Sequence, residues 1–303
     1  MFRRTIAKMA SSSNLSVGPT GSRYQFKQLI QERPHVGRVW LATSGQDQFI
    51  LKDTPKDIFS NFNEKIRSQL VESPYIRLPW DNIPDERILV YRYLTDDFLN
   101  LVREGIPIHI RKQLLKASLR GIAELHDRQI VHLDIKPDNI MVDRCNAQDE
   151  TIIEHVQIID LENAVHLPKG RCIKGMLAGN DNWRSPEANF KDELNKLTDM
   201  FSIAIVCIYA ILGRVIFGPD DDFRKYEAQG EGLSGLIKHI GDDGISCQVL
   251  QMLWGERQED HIPYRLFSEW PDVSDPVFKD FILGLTSLDP HKRLTAHQAL
   301  DHP

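Results

Sequence analysis

Cysteine is scarce: four residues in 303, at Cys145, Cys172, Cys207 and Cys247, with no two spaced as a CxxC pair. That pattern offers neither a disulfide framework nor a sequence signature for structural zinc, and it suits a reducing compartment. Long hydrophobic runs are missing too. The most apolar stretch, Phe201 to Leu212, is about a dozen residues, where a membrane span needs roughly 20. A buried helix is expected there, and no transmembrane segment. Positive charge is in deficit, 37 Lys and Arg against 43 Asp and Glu, for a net charge of -6 and a pI near 6.0. No basic face suited to nucleic acid is evident, and the chain is on average repelled by anionic membranes.

Acid is absent in one place. Between Met1 and Gln31 there is no Asp or Glu, whereas Arg3, Arg4, Lys8, Arg23, Lys27 and the run Ser11-Ser12-Ser13 are all present. Starts of this kind can be mitochondrial transit peptides; the plainer reading is an unstructured tail ahead of a domain. A tail is expected over residues 1–22 and a cytoplasmic location, with mitochondrial targeting as the alternative.

What is present is an ordinary globular composition, 41% hydrophobic and 26% charged. It is enough for one large domain or two lobes sharing a cleft. Two halves follow with different grammar. From Tyr24 to Tyr93 come short strand-like runs, Arg38 to Ala42, Gln48 to Leu51 and Arg87 to Tyr91, interrupted by a helical segment over Asp57 to Val71 with Ile58, Phe62, Ile66 and Leu70 on one stripe. The second half is helical. Ile110, Leu114, Leu115, Leu119, Ile122 and Leu125 mark a long amphipathic helix, Asp199 to Leu212 a helix apolar all round, Phe278 to Leu285 another stripe, and Thr295 to Leu300 a short closing helix. Two brief strands, Ile140 to Val142 and Val156 to Ile159, flank a polar connection over Asp143 to Glu154. The fold class is therefore α+β, with a small antiparallel-sheet lobe at about 23–93 and a larger, mainly helical lobe at about 97–303.

The chemistry-bearing residues gather in His132-Leu133-Asp134-Ile135-Lys136-Pro137-Asp138-Asn139, which runs into the strand at Ile140. A carboxylate, a cation two residues on and a carboxamide five residues on share one tight loop. Phosphoryl transfer needs those three: an acceptor for a hydroxyl proton, positive charge on the moving phosphate, and an oxygen ligand for magnesium. A second carboxylate, Asp160, follows the strand Val156 to Ile159.

This loop resembles the catalytic loop of the eukaryotic protein kinases. The resemblance implies a serine/threonine kinase fold with Asp134 as catalytic base, Lys136 steadying the γ-phosphate, and Asn139 with Asp160 as magnesium ligands. It extends to Gly179 through Ala188, where Ser185-Pro186-Glu187 resembles the end of an activation segment, and to Arg293, which resembles the arginine that pairs with that glutamate. Asp199 resembles the aspartate that steadies the catalytic loop. On the nucleotide side, Lys52 resembles the ATP-anchoring lysine. Glu64 matches its partner by its distance from Pro74, although spacing from Lys52 alone favours Glu72. Gly37, Val39, Ile50, Tyr93, Leu94 and Met141 fall at positions implied to line the nucleotide site, and Tyr91 resembles the gatekeeper. ATP, Mg²⁺ and a protein bearing a Ser or Thr hydroxyl are the implied ligands. The family's domain ends where Asp301-His302-Pro303 ends, so no further domain is expected.

The departures matter equally. Glu32 and Pro34 replace two glycines of the phosphate loop, removing backbone freedom and one N–H donor. Glu162 stands where glycine is usual, Asn180 where threonine is usual, and Leu133 replaces an arginine that receives activation-segment phosphate. From Asp160 through Arg184 there is no Ser, Thr or Tyr, so activity independent of phosphorylation there is expected. An active kinase, a pseudokinase that binds partners, and a kinase-fold enzyme acting on a small alcohol all stay open; Lys136 and the Ser185–Glu187 and Arg293 segments weigh against the last.

Overall fold

The computed structural model describes residues 15–34, 36–147, 150–216 and 267–303. Cys247 and the basic, serine-rich start before residue 15 lie outside the described residues. The chain divides into two units, residues up to Glu64 together with Arg77–Leu94, and Lys65–Ile76 together with Thr95 onward. Residues 65–76, expected with the sheet lobe, belong to the second unit.

The first unit is a six-stranded antiparallel sheet in the order β1-β2-β3-β4-β6-β5, made of β1 (Leu15–Val17), β2 (Arg23–Arg33), β3 (Gly37–Ser44), β4 (Asp47–Asp53), β5 (Asp81–Ile83) and β6 (Ile88–Arg92). β1 corrects the expectation of an unstructured start through residue 22: Leu15, Ser16 and Val17 pair with Gln25, Tyr24 and Arg23. The expectation failed because a three-residue strand carries almost no periodic signal of its own. Alternation along the central strands explains the packing. Trp40, Leu51 and Val90 stand opposite one another, and Tyr24, Ala42, Phe49, Leu51, Ile83, Ile88 and Val90 pack as one buried cluster. The other face presents the register partners Val39, Lys52 and Leu89, with Leu41, Ile50 and Tyr91 beside them.

The helix expected over Asp57 to Val71 is an α-helical turn and a half, α1 (Lys56–Asn61), continued by a π-helical turn Phe62–Ile66 and a 3₁₀ turn Arg67–Gln69. The stripe survives, with Phe62 and Ile66 fully buried and Leu70 nearly so. A π-turn shifts the register of side chains by one residue, a change that apolar spacing alone does not reveal.

The second unit is built on α3 (Ile108–Asp127) and α5 (Lys196–Leu212), after β7 (Asp96–Asp97) and α2 (Phe98–Arg103). α5 is buried from Thr198 through Ala210, as its all-round apolarity requires. Asn195 and Thr198 form its capping box, and Gly213 ends it in the left-handed conformation at φ 69°. Short strands β8 (Ile130–Val131) and β11 (Val165–His166) pair with each other, and α4 (Pro186–Asn189), α6 (Pro276–Leu285) and α7 (Ala296–Leu300) complete the described elements. α6 and α7 begin at Asp275 and Thr295, whose side chains accept from first-turn N–H groups. Among the described residues no helix is long and apolar enough to cross a membrane.

One further expectation is corrected. The polar connection over Asp143 to Glu154 is mostly strand: β9 (Ile140–Ala147) and β10 (Glu150–Ile158) form a long hairpin with a bulge between Ile153 and His155. Exposed strands carry polar residues on both faces, so hydropathy gives a loop where cross-strand hydrogen bonding gives a ladder.

Candidate active site

The loop from His132 to Asn139 leaves β8 and enters β9 through a 3₁₀ turn, Pro137–Asn139. Its shape is held from below by a single buried carboxylate. Asp199, 1% exposed in the first turn of α5, accepts from the backbone N–H of His132 at 2.8 Å and of Leu133 at 2.9 Å. It also meets Nε2 of buried His126 at 3.0 Å. These contacts hold Leu133 at a φ of 66°, a conformation that a bulky L-residue avoids unless its surroundings impose it.

His132 is the second brace, and one to which the sequence reading gave no role. It is fully buried. Its Nδ1 accepts from the Asp134 N–H at 3.2 Å, so Nε2 carries the proton and donates to the Ile159 carbonyl at 2.8 Å. One imidazole thus ties the residue at Asp134 to the residue preceding Asp160. A histidine two positions before a candidate base was the available signal; its other partner, the Ile159 carbonyl 27 residues on, was not readable.

The functional groups then converge. Lys136 Nζ lies 3.2 Å from Asp134 Oδ2 and 3.5 Å from Asp138 Oδ2. Asn139 is buried, and its carboxamide nitrogen donates to the Asp134 carbonyl at 2.8 Å and to Asp134 Oδ2 at 3.2 Å. With the nitrogen turned that way, the carboxamide oxygen is the atom suited to a cation. The Ile159 N–H donates to the Asn139 carbonyl at 3.0 Å, which fixes the start of the Asp160 turn. Asp160 itself is left-handed, at φ 69°, and opens the one-turn helix Leu161–Asn163 in which Glu162 is buried. Burial pulls the Lys136 ammonium down, but the carboxylates of Asp134, Asp138 and Asp160 outweigh it and leave the group above its ordinary value. Lys136 is therefore charged throughout the neutral range.

The segment between Asp160 and α4 closes against this loop. A Cβ on Gly179 would stand 2.8 Å from the Leu133 carbonyl oxygen and 4.0 Å from Asp134 Oδ1, and the glycine has a φ of 78°. Only glycine combines that conformation with that approach. Arg184 bonds back to the carbonyls of Ala178 and Gly179. Beyond it, Glu187 on α4 and Arg293 form a buried bidentate pair, 2.6 and 2.8 Å.

A family model for the protein kinase domain matches residues 68–303. The chain belongs to the protein kinase family. Among curated proteins it is 27% identical over 191 residues to the calcium/calmodulin-dependent protein kinase cmkA of Emericella nidulans, covering 63% of this chain and 38% of that one. It is 26% identical over 245 residues to the serine/threonine-protein kinase AFC3 of Arabidopsis thaliana, 68% of this chain and 59% of the other. It is also 26% identical over 192 residues to the serine/threonine-protein kinase H1 of Mus musculus, 63% and 37% of the two. The aligned part thus spans less than two thirds of each of these relatives.

In this protein kinase the residues expected at the site fall in two groups, one in each unit. In the second unit Asp134, Lys136, Asn139 and Asp160 come together as described, and Met141 follows on β9 opposite Asp97. In the first unit Val39, Ile50 and Lys52 share one face of the sheet, the Lys52 ammonium 5.7 Å from the centre of the Tyr91 ring. Gly37, at the end of the β2–β3 turn, has a φ of 120°, and a Cβ there would stand 1.8 Å from the Asp53 carbonyl oxygen. Tyr93 is exposed and Leu94 buried just past β6. Glu64 lies exposed in the π-helical turn, and Glu72 is exposed in the stretch after it. In the β2–β3 ladder Glu32 pairs with Arg38 and Arg33 with Gly37, and Pro34 lies in the turn between the two strands.

Proposed function

We propose that this chain is an active serine/threonine protein kinase, transferring the γ-phosphate of ATP to a Ser or Thr hydroxyl of a protein substrate. The observation that carries the reading is the Asp134 carboxylate, which meets the Lys136 ammonium at 3.2 Å and the Asn139 carboxamide at the same distance. As the substrate oxygen bonds to the γ-phosphorus, its proton passes to Asp134 and ADP leaves. Lys136 lies beside Asp134 to offset negative charge on the phosphoryl group in transit. The oxygens of Asn139 and Asp160 form a hard donor pair that fits Mg²⁺, which would neutralise phosphate charge when bound. Lys52, with Glu64 as its partner, anchors the nucleotide phosphates, and Gly37, Val39, Ile50, Tyr93, Leu94 and Met141 line the nucleotide. The proposed setting is cytoplasmic, a reading supported by four cysteines without a CxxC pair, which suit a reducing compartment.

A second reading, a partner-binding pseudokinase, is favoured by Glu32 and Pro34 in the phosphate loop. The two separate in one experiment. Labelled ATP, Mg²⁺ and a mixed protein acceptor are incubated with the wild-type chain, Asp134→Asn and Lys52→Met, beside a Mg-ATP thermal shift of each. The expected outcome is phosphoserine and phosphothreonine with the wild type, and a loss of about 100-fold or more with Asp134→Asn. Neither a shift nor incorporation in the wild type would establish the pseudokinase. Undiminished transfer by Asp134→Asn would remove Asp134 as the base.

A further inference from the structure

The β9–β10 hairpin carries a set of donor groups that phosphoryl transfer does not use. Asp143 stands directly opposite His155 in the ladder, with Nδ1 of His155 3.9 Å from Oδ2 of Asp143. Cys145, two residues along β9, shares the face of Asp143, since side chains alternate along a strand. A regular β10 would send Glu154 and its neighbour His155 to opposite faces. Instead the register slips between Ile153 and His155, leaving Glu154 as the extra residue of a bulge, and a bulge re-aims a side chain in just this way. In consequence the ligand atoms of Asp143, Glu154 and His155 all lie within 4.8 Å of one another.

We propose that Asp143, Cys145, Glu154 and His155 bind one zinc ion on this hairpin. One imidazole nitrogen, one sulfur and two carboxylate oxygens form a mixed donor set of the kind zinc accepts, whereas magnesium and calcium take oxygen alone. Bonds of roughly 2.0–2.3 Å to a tetrahedral ion place donor atoms about 3.3–3.8 Å apart. The 3.9 Å between Asp143 and His155 is already close to that. Cys145, Glu154 and His155 are exposed and can close the remaining gap by turning their side chains. The strand beneath is held in place: Arg144, which alternates to the opposite face, reaches Asp96 and Glu104 at 2.8 Å each. Its N–H also donates to Thr95 Oγ1 at 3.1 Å, and that hydroxyl donates to the Val142 carbonyl at 3.3 Å. On binding, the Cys145 proton passes to solvent and the thiolate joins the ion. The donors are distinct from Asn139 and Asp160, so the site does not depend on the kinase reaction.

The test is a metal titration of the full chain, reduced and stripped with a chelator, using Co²⁺ and then Zn²⁺. The expected result is one equivalent of tetrahedral cobalt with a sulfur-to-cobalt charge-transfer band, displaced by one equivalent of zinc. Cys145→Ser should abolish that band, and His155→Ala or Asp143→Asn should weaken zinc at least tenfold, with circular dichroism and melting unchanged in all three. The proposal is overturned by zinc affinity equal in the wild type and the variants, by a charge-transfer band that survives Cys145→Ser, or by no stoichiometric binding.

Discussion

At the scale of single residues, a few buried groups hold the His132–Asn139 loop in shape. Asp199 satisfies two backbone N–H groups and one imidazole, and hydrogen bonds to a charged acceptor contribute roughly 1.5–3 kcal/mol each. The Glu187–Arg293 pair is of the same kind. The Arg293 side chain is 0% exposed, and the guanidinium also donates to the carbonyls of Ser287 and Leu197 and lies 5.0 Å from the Phe201 ring centre. Removing one partner strands a buried charge. Arg293→Met or Glu187→Met should each cost about 3–5 kcal/mol in urea unfolding, and the double variant less than their sum, because no unpaired charge remains. Additive losses would show that the two groups act separately. Each member was legible from its motif, Glu187 after Ser185-Pro186 and Arg293 in the segment after Leu288. The extra partners of Arg293 were not, because carbonyls carry no residue-specific signature.

At the scale of elements, packing and backbone pairing hold the stretch after Asp160. Leu133 packs with Val131, Ala178, Ala188 and Leu194 in one buried apolar cluster. Ile173 and Leu194 exchange backbone hydrogen bonds at 3.0 and 2.8 Å, and Gly175 donates to the Lys191 carbonyl at 2.8 Å. Lys174 and Glu193 add an exposed ion pair that contributes little. Packing and backbone pairing here stand in for the phosphate-to-arginine contact for which Leu133 leaves no charge. Phosphatase treatment should therefore leave kinase activity unchanged, and mapping should find no required site between Asp160 and Arg184. Leu133→Arg should unfold the chain more readily, because an arginine there would be buried among apolar side chains. A phosphatase-sensitive activity with its site in that segment would sink this account. The sequence carried the absence of hydroxyls openly; it did not carry the cluster, whose members come from four separate stretches of chain.

At the scale of the whole molecule, several shifts share one sign. Burial pushes the Cys207 thiol up to about 12 from an ordinary 9.0. Burial raises the Tyr24 and Tyr209 hydroxyls as well. Each group is protonated in the fold at a pH where the unfolded chain has begun to lose its proton. The stability they contribute is complete below the unfolded value and is lost as the pH climbs toward the folded one. Lys136, also raised, adds to the loss above 10.5, while Lys196, lowered by burial, opposes it in part. The melting temperature should hold to about pH 9 and then fall steadily, and Cys207→Ala should flatten that slope even though it removes a buried sulfur. A melting temperature level to pH 10.5, or an unaltered slope in the variant, would contradict the assignment.

The amino-acid order by itself determined the two grammars of strand and helix, the buried character of α5, and the identity of the groups at Lys52, Asp134, Lys136, Asn139 and Asp160. Those are properties of periodicity and of chemical type at short spacing, which a chain displays before it folds. Only the tertiary structure decided what sits beside what: Asp199 beneath the His132–Asn139 loop, His132 between Asp134 and Ile159, and the bulge that gathers Asp143, Glu154 and His155. Such contacts depend on register and on hydrogen bonds to peptide groups. Peptide groups are the same at nearly every position, so one-dimensional order says little about which of them a side chain will find.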